Sequence, residues 1–288
     1  MTLRTILVPV DGSDSARSAL DAAIGLGRDF MAHVDVIHVK SDPKNALPML
    51  GEGMSGAMIE EMMELAEKES ADLASAARNL FDEATTANNV TVADQPPGPN
   101  DVSASWREVT GREDEVIARS GRVRDLVLLP FPTDGRDGAA DQTLNAALYE
   151  TGKPVLMTPS MVPDHMGRRI VVAWNGSAEA TRAVSAAMPF LLQAEAVYLL
   201  SAESENDEEQ DVGEVATYLS WHGVTTTSLV FSPGGLSIGE ALLGECGKVE
   251  ADLLVMGAYS HSRVWEMVLG GVTRHILEEA SLPVLMAH

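Results

Sequence analysis

The chain has 288 residues, 45% of them apolar, with a single cysteine and a formal net charge of −23 at pH 7. That length suits two domains of ordinary size better than one core, while the charge sets the average surface against nucleic acid and anionic membranes. The lone Cys246 excludes an internal disulfide and a thiolate metal site, and no apolar run reaches the length that crosses a bilayer.

Met1-Thr2-Leu3-Arg4-Thr5 leads straight into a strand-like run without the charged head, long apolar stretch and small-residue cleavage site of a secretory signal. A cytoplasmic protein is expected. The run Ile6 to Val10 predicts a buried strand, and Asp11-Gly12-Ser13 comes directly after it. Ala16, Ala19, Ala22 and Ala23 then give a helix a small-residue face that can lie close against a sheet. From about Ser55 to Ala84, alanine, methionine and acidic residues at helical spacing predict one long amphipathic helix. Its Met54, Met58 and Met62 are read as core or interface packing. Gln95 to Asn100 is a loop; Asp125 to Leu129 and Lys153 to Met157 are strands, and Thr158 to Pro163 links the two halves of the chain. Further strands are predicted at about 169–174, 196–201, 225–231, 252–257 and 283–287, with an acidic loop from Glu203 to Asp211.

The C-terminal segment carries the strongest chemical signal. The strand Leu253 to Met256 runs into Gly257-Ala258-Tyr259-Ser260, and Gly270-Gly271-Val272-Thr273 opens a helix predicted from Val272 to Ala280. A helix that starts at a glycine pair leaves its first amides unpaired, and with the positive end of the dipole they form a seat for an anion such as a triphosphate. His261, Arg263, Arg274 and His275 flank the motif and supply candidate cations for phosphate.

The chain is also an internal duplication. Ile6 to Ser13 aligns with Ile170 to Ser177 at an offset of 164, and Ala16, Ala19, Ala22 and Ala23 fall on Ala180, Ala183, Ala186 and Ala187. Asp125 to Leu129 repeats as Asp252 to Met256, and Lys153 to Met157 as Leu282 to Met286. Asp11 and Asp125 lie 114 positions apart but Asn175 and Asp252 only 77, so the first copy carries 37 extra residues, between Lys40 and Val109. The domains are expected at 1–162 and 163–288. Each copy alternates strands and helices, the pattern of a mostly parallel, five-stranded, Rossmann-like α/β sheet with helices on both faces. Ligands on such sheets sit beyond the carboxyl ends of the strands at a topological switch point, which brings Trp174, Asn175 and Gly257 together.

These residues resemble the universal stress protein family in its tandem two-domain form, over essentially the whole chain. Its ATP-binding members carry an aspartate after the first strand, and later a glycine, two residues, a second glycine, nine residues, a third glycine, then serine or threonine. The second copy is similar: Gly257 and Gly270 match, Ser260 stands for the second glycine, Gly271 takes the serine position with Thr273 two beyond, and Asn175 replaces the aspartate. The resemblance implies that Ala173, Trp174, Asn175 and Met256 border adenine and ribose. It implies that Gly257, Ser260, Gly270, Gly271, Val272 and Thr273 hold phosphates; His261 and Arg263 are candidates by their position beside the motif alone. The cofactor implied is ATP or another adenine nucleotide such as AMP, with Mg2+ allowed beside the phosphates.

The first copy departs further from that pattern. It keeps Asp11-Gly12-Ser13 but sets Pro130 where Gly257 stands, removing a backbone donor, and Asp134, Asp137 and Asp141 crowd the loop that would receive phosphate. One nucleotide at most is expected per chain, in the second domain. The halves are expected to form an internal pseudo-dimer through their terminal strands, Pro154 to Met157 and Pro283 to Met286, covering two edges. A homodimer of whole chains is allowed as well. No GxSxG elbow, Walker motif or histidine ligand spacing is present, so no catalytic or metal residue is assigned. The expected role is a stress-response regulator or protective factor that binds rather than turns over. A slow ATP hydrolase and a nucleotide-free interaction scaffold are the alternatives.

Overall fold

The structure is a computed structural model and describes residues 2–41, 56–98, 101–132, 138–163, 165–203, 212–259 and 271–288. The first half contains β1 (Thr5–Pro9), α1 (Asp14–Phe30), β2 (His33–Lys40), α2 (Gly56–Ala87), β3 (Thr91–Val92), β4 (Ser103–Thr110), α3 (Glu113–Gly121), β5 (Leu126–Pro130), α4 (Gly138–Glu150) and β6 (Val155–Thr158). The second contains β7 (Arg169–Ala173), α5 (Ala178–Leu191), β8 (Ala196–Ala202), α6 (Val212–Trp221), β9 (Thr226–Phe231), α7 (Ile238–Lys248), β10 (Leu253–Gly257), α8 (Gly271–Glu279) and β11 (Val284–Ala287). The predicted strands and the long insertion helix are all present. Met58 and Met62, however, stand exposed on α2, so neither belongs to the core; Met54 lies outside the described residues.

The strands form one sheet in the order β3-β4-β2-β1-β5-β6-β11-β10-β7-β8-β9. Every pairing among the described strands is parallel except one. β6 meets β11 antiparallel, with Val155 opposite Met286 and Met157 opposite Val284, so the terminal strands join the halves as the sequence led us to expect. Their edges, which alone would template aggregation, are consumed by each other. Apolar side chains of both faces pack under helices: α1, α2, α5 and α6 cover one face, and α3, α4, α7 and α8 the other. Phe30 and Phe190 meet edge-on at 5.0 Å, closing the first layer across the join between the halves.

The repeat has identifiable physical causes. Asp125 accepts from the amides of Arg4 and Thr5 (2.9 and 3.0 Å), and Asp252 accepts from those of Gly167, Arg168 and Arg169 (3.0, 3.1 and 3.0 Å). Each aspartate precedes one strand and ties down the start of its neighbour, satisfying amides that the sheet leaves open. At the other end, Gly12 (φ +90°) and Gly176 (φ +73°) turn the chain so that Ser13 and Ser177 cap α1 and α5. The aligned alanines of both helices are buried against the sheet, except Ala186, which is half-buried.

Candidate functional site

In the second half the strand order reverses at β7, which lies between β10 and β8, so the carboxyl ends of β7 and β10 border a switch-point crevice. Val255 is level with Val172, and carrying that register two positions on sets Gly257 level with Trp174. Asn175 uses its side-chain oxygen to accept from the amide of Ser177 (3.2 Å), forming the turn that leads into α5. A Cβ at Gly257 would stand 2.6 Å from the amide nitrogen of Ala180 and 2.8 Å from Cβ of Glu179. Glycine is therefore required there by the close approach of α5, whatever else binds.

Beyond Gly257, Ala258 donates to Ala287 at 2.9 Å, and Tyr259 adopts φ +60°, a left-handed conformation costly for an aromatic residue. Its amide donates to Oγ1 of buried Thr273 (3.4 Å), which ties the strand end to the first turn of α8. Gly271 and Val272 thus lie beside the exit of β10. The Tyr259 ring is buried and stacks on Tyr149 of α4 at 5.4 Å, while Tyr149 also meets His288 at 4.3 Å, so residues of both halves close the cluster. Burial first, then Tyr149 and Asp141, push the Tyr259 phenol far above its ordinary value.

Of the predicted site residues, the fold brings Ala173, Trp174, Asn175, Met256, Gly257, Gly271, Val272 and Thr273 to this corner. Ser260, His261, Arg263 and Gly270 lie outside the described residues. Arg274 pairs along α8 with Glu278 at 2.8 Å, and His275 packs on Gly239 of α7. Trp174 supplies a feature that the sequence did not announce: its indole Nε1 is buried and has no acceptor among the described residues.

A universal stress protein family model matches residues 2–151 and again 166–288. The chain belongs to the universal stress protein family. It is 22% identical over 303 residues to a universal stress protein of Synechocystis sp., covering 98% of this chain and 99% of that one. Among solved structures it is similar to a universal stress protein from Archaeoglobus fulgidus, with a TM-score of 0.65 at 16% identity, covering 98% and 97% of the two chains. It also resembles a putative universal stress protein from Pseudomonas aeruginosa, with a TM-score of 0.57 at 17% identity over 99% and 93%.

The first half of this universal stress protein keeps a cavity of about 200 Å³ at the equivalent strand ends, lined by Asp11, Val39, Glu113, Pro130, Phe131 and Thr143 among others. Asp11 accepts from the amide (2.9 Å) and hydroxyl (2.6 Å) of Ser13. Glu113 lines the cavity and keeps exposed surface. Desolvation first and the Asp11 carboxylate second push its carboxyl up, and a hydrogen bond from Thr143 pulls partly the other way. Two carboxyl groups on one wall, with Pro130 offering no N–H, make a poor seat for a polyanion. Asp141 is at the start of α4; Asp134 and Asp137 lie outside the described residues. Nothing in the sequence distinguishes Glu113 from the other acids in the first turn of α3, so sequence reasoning does not single it out.

Among the described residues no group of three or more histidine, cysteine, aspartate or glutamate side chains could hold a metal, and no helix is long and apolar enough to cross a membrane. Cys246 is buried on α7, where desolvation pushes its thiol up to about 12, so it is a packing residue rather than a nucleophile.

Proposed function

We propose that this chain is a cytoplasmic stress-response protein whose second domain, 163–288, binds one adenine nucleotide, ATP or AMP, while the first domain, 1–162, binds none. The observation that carries the reading is the hydrogen bond from Tyr259 to Thr273, which holds the start of α8 beside the exit of β10 at the switch point. Gly271 and Val272 then offer amides at the positive end of a helix dipole, the chemistry that a phosphate requires. Adenine and ribose would lie against Ala173, Trp174, Asn175 and Met256, with the Trp174 indole N–H, which has no acceptor among the described residues, as a candidate donor. Any Mg2+ would be carried by the phosphates, since the described residues supply no ligand cluster. The role is binding that biases a regulatory or protective state, not turnover.

The test uses a variant that leaves the fold intact. Among the described residues a side chain at Gly271 meets nothing within 4 Å, and an aspartate in the first turn favours a helix, so Gly271→Asp should fold normally yet repel phosphate. Calorimetry should give one nucleotide per wild-type chain and an affinity at least about tenfold weaker in Gly271→Asp. A stoichiometry near two, or equal affinity in the two proteins, overturns the proposal. Steady phosphate release from ATP, abolished by the same substitution, would replace binding with slow hydrolysis.

A further inference from the structure

The two outer edges of the sheet are finished differently. On the first-half side β3 pairs with the start of β4, and the rest of β4 carries Arg107 and Glu108, the latter in an ion pair with Lys40 at 2.7 Å. Charge of this kind is how proteins blunt an edge. On the other side β9 is the last strand, and its outer edge pairs with none of the described strands. The O of Phe231 accepts from the amide of Glu203 at the end of β8, so the alternation of the strand turns the N–H and C=O of Thr226, Ser228 and Val230 outwards.

This bare edge also lacks charge. From Val215 to Gly239 there is no aspartate, glutamate, lysine or arginine, a run of 25 residues and the longest such run in a chain that is 22% charged. Apolar side chains stand in water around it: Trp221 at the end of α6 is 85% exposed and Val230 on the strand 65%, with Leu236 and Ile238 beyond the strand end. An exposed, neutral, half-apolar edge is what a second strand pairs with.

We infer that the open edge of β9 is a docking edge for a second copy of this chain, joined antiparallel about a twofold axis. Net charge selects the occupant. Two copies at −23 repel wherever their acidic surfaces meet, and the charge-free run is where that repulsion is least. A basic partner would gain nothing from a neutral edge and would be drawn to the acidic faces instead. Geometry agrees, because a twofold axis normal to the sheet through Ser228 sets Ser228 opposite its own copy and Thr226 opposite Val230. Those are the residues whose backbone groups point outwards. The chain already joins β6 to β11 in the antiparallel sense, so the dimer would extend one sheet through both molecules.

The experiment is sedimentation velocity of the full chain from about 1 to 200 µM in low and high salt, since screening of like charge over about 8 Å or less should strengthen self-association. Wild type should show a reversible monomer–dimer equilibrium that shifts towards dimer as salt rises. Val230→Glu, which adds charge to the edge, and Ser228→Pro, which removes an outward N–H, should each weaken it at least about tenfold. Val123→Glu, an exposed position outside this run, should leave it unchanged. Both edge substitutions fall on exposed positions, and if the proline variant melts early the glutamate variant decides. A wild-type monomer at every concentration and salt, a dimer that weakens with salt, one that ignores Val230→Glu, or one that Val123→Glu breaks equally, each overturns the inference.

Discussion

The two halves make the same turn after their first strand but finish the opposite strand differently. Gly257 lets α5 approach to where no side chain fits, whereas its counterpart Pro130 borders an open cavity with Asp11 and Glu113 on its wall. Among the described residues the duplicated scaffold is thus drawn tight at Gly257 and left open and acidic beside Pro130. Backbone that comes close and ends beside a helix N-terminus suits an anion; a cavity walled by carboxyl groups does not. What separates the copies is decided at a few positions on an unchanged frame.

The largest asymmetry to break is a buried charge. Asp35 is 1% exposed and accepts from both Arg107 (2.7 and 3.0 Å) and Arg124 (2.5 and 2.9 Å). Burial alone would raise its pKa, but the two guanidinium groups overcome this and hold it below the ordinary carboxylate range. At the corresponding position of the second half stands Tyr198, which receives one bond from Arg169 at 3.3 Å. Asp35→Asn should therefore cost about 3 kcal/mol in urea unfolding, because two cations are left facing each other. Tyr198→Phe should cost less than about 1 kcal/mol. Equal losses would mean that the acid is not the centre of its half.

Next comes the tight corner. Gly257→Val should destabilise by about 2 kcal/mol or more, since its Cβ would meet backbone at 2.6 Å. Pro130→Gly should change stability by about 1 kcal/mol or less, acting through the unfolded chain. The caps test equivalence rather than difference: Ser13→Ala and Ser177→Ala should each cost about 1 kcal/mol. The first should cost slightly more because Ser13 Oγ also donates to Asp11 at 2.6 Å. Paired thermal melts check all four.

Much of the frame was legible because a parallel sheet writes itself as apolar runs, and the duplication doubled each reading. The antiparallel join could be anticipated because Lys153 to Met157 and Leu282 to Met286 are the same segment in two copies, each ending its half. The Asp35, Arg107 and Arg124 cluster was invisible, since its members lie 72 and 89 positions apart and only the fold brings them together. The left-handed turn at Tyr259 was equally hidden, because nothing in an aromatic residue announces positive φ. At the candidate site, Gly257 was found for its chemistry, yet the contact with Ala180 gives it a packing reason that spacing alone could not reveal.

The smallest predicted effect comes from pH and again concerns one half. His33 binds Ser103 through Nδ1 (2.8 Å) and Ser105 through Nε2 (2.9 Å), and the latter serine reaches Asp35. Desolvation lowers the His33 pKa from its ordinary 6.5; Asp35 pulls the other way, and Arg124 adds to the lowering. As pH falls through the ordinary histidine range, the unfolded chain takes up a proton that the folded chain refuses, so the unfolded state binds more protons and stability drops. That loss stops growing below the depressed folded pKa. Asp35 acts lower down: its contribution is present above the ordinary carboxylate pKa and disappears as pH falls towards its depressed folded value. The register places Ala196 and Tyr198 at the corresponding positions of the second half, where neither a histidine nor a carboxylate stands. Hydrogen exchange should therefore show β2 and β4 loosening on going from about pH 7 to 5.5 while β8 and β9 do not, and His33→Gln should flatten the difference. Equal loosening of both pairs would show that acid acts on the molecule as a whole rather than through this histidine.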